Sequence, residues 1–238
     1  MKTTNLKTAA ITALFGIGLL AGCTNSTTNQ KTSDMKTLNL TQEWDKTFPQ
    51  SDKVNHSKVT FTNRYGITLA ADMYVPKNAT GKLPAIAVCG PFGAVKEQAA
   101  GLYAQTMAER GFLTVAFDPS YTGESGGEPR YVVSPDINTE DFSAAVDFLA
   151  TNDKVDPEQI GIIGICGWGG LAINAAAADP RIKATVASTM YDMSRVNANG
   201  YFDADDSAEA RNALRKKLAV QRTEDFRNGF PKPGGGVP

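Results

Sequence analysis

Gly161-Ile162-Ile163-Gly164-Ile165-Cys166-Gly167-Trp168-Gly169-Gly170 leads straight into an alanine-rich stretch ending at Ala178. An apolar run, a glycine-dense turn and a helix-forming run, in that order, are the context of a nucleophile elbow. Such a turn crowds the Cα of its central residue, so small residues are needed two before and two after it. Two registers are open. With Cys166 at the centre, Gly164 fits the first requirement and Trp168 violates the second. With Trp168 at the centre, Cys166 and Gly170 fit, but an indole cannot attack a carbonyl.

Outward from this turn, strand and helix signals alternate. Ser57 to Asn63 and Ile67 to Val75 alternate about the Arg64-Tyr65-Gly66 turn and read as an antiparallel hairpin. The short apolar runs at 84–89 and 112–117 read as buried parallel strands, with a helix between them over 98–110. A helix is expected over 139–151, capped by Thr139, with Phe142, Val146 and Leu149 on one face. A strand over 159–163, a helix over 170–178, a strand over 182–188 and a charged amphipathic helix over 206–226 complete the pattern. The fold class is therefore α/β: a mostly parallel sheet with helices on both faces. Sites in such sheets lie at the carboxyl ends of the strands.

The 238 residues carry 24 basic and 25 acidic side chains, three cysteines and one histidine, His56. That balance gives no basic stripe for nucleic acid. No pattern calls for a cofactor or a metal. Gly167-Trp168-Gly169-Gly170-Leu171-Ala172 does match G-x-G-x-x-A, with Asp192 downstream. A dinucleotide fingerprint, however, belongs in the first strand–helix unit and this one falls late.

The N-terminus reads as targeting rather than fold. Lys2 and Lys7 precede an apolar stretch from Ala9 to Leu20, too short for a comfortable span. Leu20-Ala21-Gly22-Cys23 resembles a bacterial lipobox, which implies cleavage before Cys23, acylation of its thiol and export to a membrane. Thr24, in place of Asp, favours the outer membrane by the same resemblance. Residues 1–22 are thus expected to be a signal, 23–45 a polar flexible tether, 46–200 the folded core, and 201–238 a helical, cap-like segment with an unstructured end.

Two further loops follow strands. Cys89-Gly90-Pro91-Phe92-Gly93 follows the third, and Gly123-Glu124-Ser125-Gly126-Gly127 follows the fourth. The second is a formal G-x-S-x-G match, but Glu128-Pro129-Arg130 follows it rather than a helix, so Ser125 is not read as a nucleophile. The order of these loops, the elbow and Asp179-Pro180-Arg181-Ile182 resembles the α/β-hydrolase superfamily, in particular dienelactone-hydrolase-like proteins. The resemblance covers roughly residues 50 to 195. It implies Cys166 as nucleophile, its thiolate favoured by the following helix N-terminus, and an oxyanion hole from the backbone N–H groups of Phe92 and Gly167. It places Cys89, Gly90 and Trp168 at the pocket. In the family's sheet order Cys89 and Cys166 lie at the ends of neighbouring strands, which leaves a disulfide between them open.

The same family carries an acid after a seventh strand and a histidine after an eighth. Six strands are read here and neither residue follows. His56 opens the first strand, at the wrong end of the sheet, and reads as a surface residue. Asp192 reads as a turn cap. The expectation is a C-terminally shortened member, whose longer form hydrolyses an ester- or amide-type bond in a small substrate. The competing reading is a non-catalytic lipoprotein that binds a ligand in the same cleft.

Overall fold

Residues 38–234 are described in a computed structural model; the signal segment, Cys23, most of the expected tether and residues 235–238 lie outside them. Within this range the chain runs β1 (Val54–Thr62), β2 (Thr68–Pro76), β3 (Leu83–Cys89), α1 (Ala99–Ala108), β4 (Leu113–Phe117), α2 (Pro135–Ala150), β5 (Val155–Ile165), α3 (Gly167–Ala178), β6 (Ile182–Ser188), α4 (Met193–Asn199) and α5 (Ala208–Asn228). A six-stranded sheet has the order β1-β2-β4-β3-β5-β6. The β1–β2 hairpin joins β4 antiparallel, while β4, β3, β5 and β6 are parallel.

Each face of the sheet buries its own core. On one, Phe142, Val146 and Leu149 of α2 and Trp168, Leu171 and Ala175 of α3 pack on Ala87, Val115, Phe117 and Ile162. Phe142 meets Phe117 edge-on, with ring centroids 5.2 Å apart. On the other face, Ala100, Ala104 and Ala108 of α1 lie on Ile86, Val88, Ala116 and Ile163. Their small side chains let the helix approach closely. Cys89 belongs to the first core and Cys166 packs at the edge of the second. Both cysteines are free.

Several boundaries differ from the sequence reading, for local reasons. Helix α2 starts at Pro135, not Thr139; Ser134 is the N-cap and proline, which needs no N–H partner, opens the helix. Strand β5 runs back to Val155 through Asp156-Pro157-Glu158, whose polarity hid it. Helix α3 begins directly after Cys166, so Trp168, Gly169 and Gly170 are helical. The short helix α4, capped by Asp192, was not anticipated. Helix α5 buries none of its residues fully, so the expected amphipathic face is not part of the core.

The segment before β1 is part of the body from Thr41 on, inside the stretch assigned to the tether. The Thr41 N–H donates to Glu124 Oε1 at 2.7 Å. Trp44 stands edge-on to His56, and the Thr47 N–H donates to the Glu97 carbonyl. Lys46 Nζ lies 3.1 Å from Asp72 Oδ2, and His56 Nε2 is 2.7 Å from the other oxygen of that carboxylate. His56 is therefore not a free surface residue.

Lys58 and Lys96 both hydrogen-bond Glu124 Oε2, at 2.7 Å each. Burial alone would raise the Glu124 carboxyl, but these two ammonium groups outweigh it and hold it down at about 2, against an ordinary value of 4.5. A depressed carboxylate contributes stability that is present above its unfolded value and is lost as pH falls through its folded one. The urea midpoint is therefore expected to drop between about pH 4.5 and pH 2, and Glu124→Gln to lower the midpoint at pH 7 while flattening that acid limb. An acid limb of the same slope in both proteins contradicts this assignment.

Candidate active site

The turn from β5 into α3 sits at the carboxyl end of the parallel strands. Cys166 has φ 58° and ψ −124°, a sparsely populated backbone conformation that costs roughly 1–3 kcal/mol in a residue with a Cβ. Neighbours on both sides hold it. The Cys166 N–H donates to the Ser188 carbonyl at 2.9 Å, while its own carbonyl accepts from Gly169 at 3.0 Å and Tyr191 at 3.3 Å. This settles the register, because Cys166 is the residue at the sharp turn and Trp168 is an ordinary residue of the first helical turn.

The size requirement is met in an unexpected way. A Cβ at Gly164 would collide with the Trp168 carbonyl oxygen and crowd Ala172, so the position two before Cys166 must be glycine. Two residues after it, Trp168 turns its ring away from the turn and into the α2–α3 core, where it is 3% exposed. There it stacks on Phe92, with centroids 5.5 Å apart and ring planes 19° apart. The Phe92 ring also covers Gly167 so closely that any Cβ there would overlap it.

The two expected backbone donors thus belong to residues in direct contact. Gly167 is the first residue of α3, so its N–H has no carbonyl one turn back within the helix. The Phe92 N–H donates to no acceptor among the described residues. Pro91 has no N–H, which leaves Phe92 as the donor of its loop. Cys166 itself is half-buried. A cleft of about 310 Å³ opens against the same helical turn, lined by Gly167, Leu171, Met190, Tyr191 and Met193 among others. A larger cleft of about 650 Å³ lies at the other end of α3, beside Asp179 and Arg181; neither cleft has a cysteine in its lining.

The other expected pocket residues sit deeper. Cys89 is fully buried, and burial pushes its thiol well up, with Asp141 and Asp118 adding to the effect. Gly90 is buried against Ala100. Cys89, Gly90 and Trp168 therefore support the site from behind rather than line its open part. Ser125 Oγ donates to the Asp118 carbonyl and accepts from the Ala70 N–H, so this buried hydroxyl stitches β2 to the loop after β4.

No imidazole reaches the turn. His56 is on β1, four strand positions from β5 and roughly 19 Å away across the sheet, and it pairs with Thr114 at the opposite end of β4 through Tyr74. Asp192 lies close in sequence to Tyr191, but its carboxylate caps α4, accepting from Ser194 Oγ at 2.6 Å and the Arg195 N–H at 3.0 Å. Those bonds, Ser194 first, hold it below the usual carboxylate range.

The most heavily charged group beside this loop carries no sequence motif. Lys96 lies four residues after Phe92 with no side-chain exposure. Its Nζ is 2.9 Å from Asp118 Oδ2, 2.7 Å from Glu124 Oε2 and 2.5 Å from Glu97 Oε1. Burial would lower this ammonium group, but the carboxylates outweigh it, Asp118 foremost, and keep it charged. A lysine in the loop after one buried strand, with an aspartate directly after the next, was the available signal.

Comparison with known proteins places this geometry. Residues 65–228 match the family model described as X-Pro dipeptidyl-peptidase (S15 family). Uncharacterized protein PA2218 of Pseudomonas aeruginosa is 63% identical over 217 residues, covering 89% of this chain. Its crystal structure superimposes with a TM-score of 0.80 over 85% of this chain and 65% of that one. The thiohydrolase aneE of Aspergillus aculeatus is 35% identical over 56% of this chain and 41% of its own length. The α/β hydrolase GrgF from Penicillium sp. sh18 superimposes with a TM-score of 0.62 at 25% identity, over 75% of this chain and 57% of that one. The chain spans 58% of the length of PA2218. With the matched model covering the sheet from the hairpin turn through the elbow to α5, the chain belongs to the X-Pro dipeptidyl-peptidase (S15) family, on an α/β-hydrolase fold.

Proposed function

We propose that Cys166 is an acyl-accepting nucleophile for an ester, thioester or amide carbonyl. The observation that carries this reading is the strained Cys166 backbone at the β5–α3 turn, next to Gly167, which the Phe92 ring covers. The thiolate attacks the carbonyl carbon, and the oxygen becomes an oxyanion held by the Phe92 and Gly167 N–H groups. Collapse of the adduct breaks the bond to the leaving group and leaves an S-acyl Cys166: an alkoxide or thiolate departs as the anion, and an amine departs after its nitrogen takes a proton from water. Each aimed donor contributes on the order of 3–4 kcal/mol to such a step. A thiol suits a site without an adjacent imidazole, because cysteine keeps intrinsic nucleophilicity that serine lacks. The likeness to a thiohydrolase supports a thioester among the substrates. His56 is held by Asp72 on β1, so it is not the group that would help release the acyl group at this turn.

p-Nitrophenyl acetate is expected to give a burst of one nitrophenolate per chain, followed by slow turnover, with the acetyl group on Cys166. Cys166→Ala is expected to abolish the burst, and Cys89→Ala to leave it intact. Acetylation at Cys89, or no burst, sinks the reading. The competing role, a non-catalytic binding protein, is favoured by the distance of His56 from the turn. It predicts ligand binding that Cys166→Ala does not alter.

Export to the outer membrane on an acylated Cys23 is part of the same proposal and is supported by the residues Leu20 to Cys23. Labelled palmitate is expected to enter the wild-type chain in cells and to be absent from Cys23→Ala, which should leave the membrane fraction. Equal labelling of the two contradicts the anchor.

A further inference from the structure

We propose that Lys96 is a positioning residue that sets the place of the Phe92 amide; this rests on the reading of Cys166 as nucleophile. The loop between β3 and α1 is held at two points. At its start, the Phe92 ring is pressed on Gly167 and stacked on Trp168, which fixes it to the helix that carries the second donor. At its end, Lys96 grips one carboxylate twice. Its backbone N–H donates to Asp118 Oδ1 at 2.8 Å and its Nζ to Oδ2 at 2.9 Å. The stretch between is too tightly turned to absorb a shift: Ala94 donates to the Pro91 carbonyl, Gln98 to the Val95 carbonyl, and Val95 to Gln98 Oε1.

Asp118 is itself anchored. Its N–H donates to the Ala70 carbonyl on β2, its Oδ2 accepts the Glu124 N–H at 2.9 Å, and a Cβ at Gly123 would overlap its carboxylate. Glu124 extends the grip to Lys58 on β1 and to Thr41 ahead of it. The oxyanion loop is thus tied through one buried ammonium group to three separate stretches of chain. Loss of Lys96 would leave three carboxylates facing one another, and the loop would yield before Asp118, which directly follows β4 and is bonded to β2. A small displacement of the Phe92 N–H is enough to lose its bond to a developing oxyanion, because such donors act only when fixed in advance.

The test compares two reactions at Cys166 in the full chain, each read by peptide mass. Acetylation by p-nitrophenyl acetate builds an oxyanion. Alkylation by iodoacetamide displaces iodide from a saturated carbon, needs no oxyanion hole, and reports thiolate reactivity alone. In Lys96→Met, acetylation is expected to fall on the order of 100-fold, the loss seen when one such donor is removed, with alkylation little changed. Glu124→Gln keeps the Lys96–Asp118 pair, covers the case in which Lys96→Met does not fold, and should show a smaller loss of the same kind. Acetylation and alkylation falling together, or neither falling in a folded variant, overturns the proposal. If the wild-type chain is not acetylated at Cys166, the nucleophile reading has failed, and amide exchange decides the positioning. Faster exchange over residues 90–95 in either variant, with β5 unchanged, supports it; unchanged exchange there overturns it.

Discussion

A single backbone conformation organises the site. Strand β5 must reverse into α3 within one residue, and that residue, Cys166, has a Cβ where glycine would be less strained. The strain is borne because three hydrogen bonds, to Ser188, Gly169 and Tyr191, fix the turn from both neighbouring segments. Gly164 must lack a side chain so that the helix can start against the strand. Together these requirements hold Cys166 half-buried at the carboxyl edge of the sheet. The same arrangement places the first amide of α3 beside the Phe92 loop.

The architecture was legible because it rests on local patterns. Buried parallel strands are short apolar runs, and the hairpin alternates about Arg64-Tyr65-Gly66. The elbow was legible in kind but not in register. Trp168 looked too large because the spacing rule says nothing of where a ring can go. Its accommodation depends on Phe92, more than seventy residues earlier in the chain. The start of α2 at Pro135 and the polar first half of β5 were hidden for the converse reason, since capping and pairing there override hydrophobic period.

The charged cluster was illegible for a physical reason. Lys46, Lys58, Lys96, Asp72, Asp118 and Glu124 each read as an ordinary surface residue alone, and become partners only when β1, β2, β4 and two loops meet. Desolvated charges of this kind are costly unless every member is paired. The segment from Thr41 to Phe48 is part of that pairing, which is why its polar composition misled. His56 has its place in the same cluster, against Asp72, Trp44 and Tyr74, which hold the chain's one histidine on β1.

The central claim is geometric: an oxygen bonded to the carbon attached to Cys166 should fall between two particular amides. A crystal structure of the chain treated with a small aldehyde, which forms a hemithioacetal with a thiol, reads this directly. The account predicts the adduct on Cys166, with its oxygen within hydrogen-bonding distance of both the Phe92 and the Gly167 N–H. An adduct on Cys89, or an oxygen on Cys166 that points away from both amides, would contradict it.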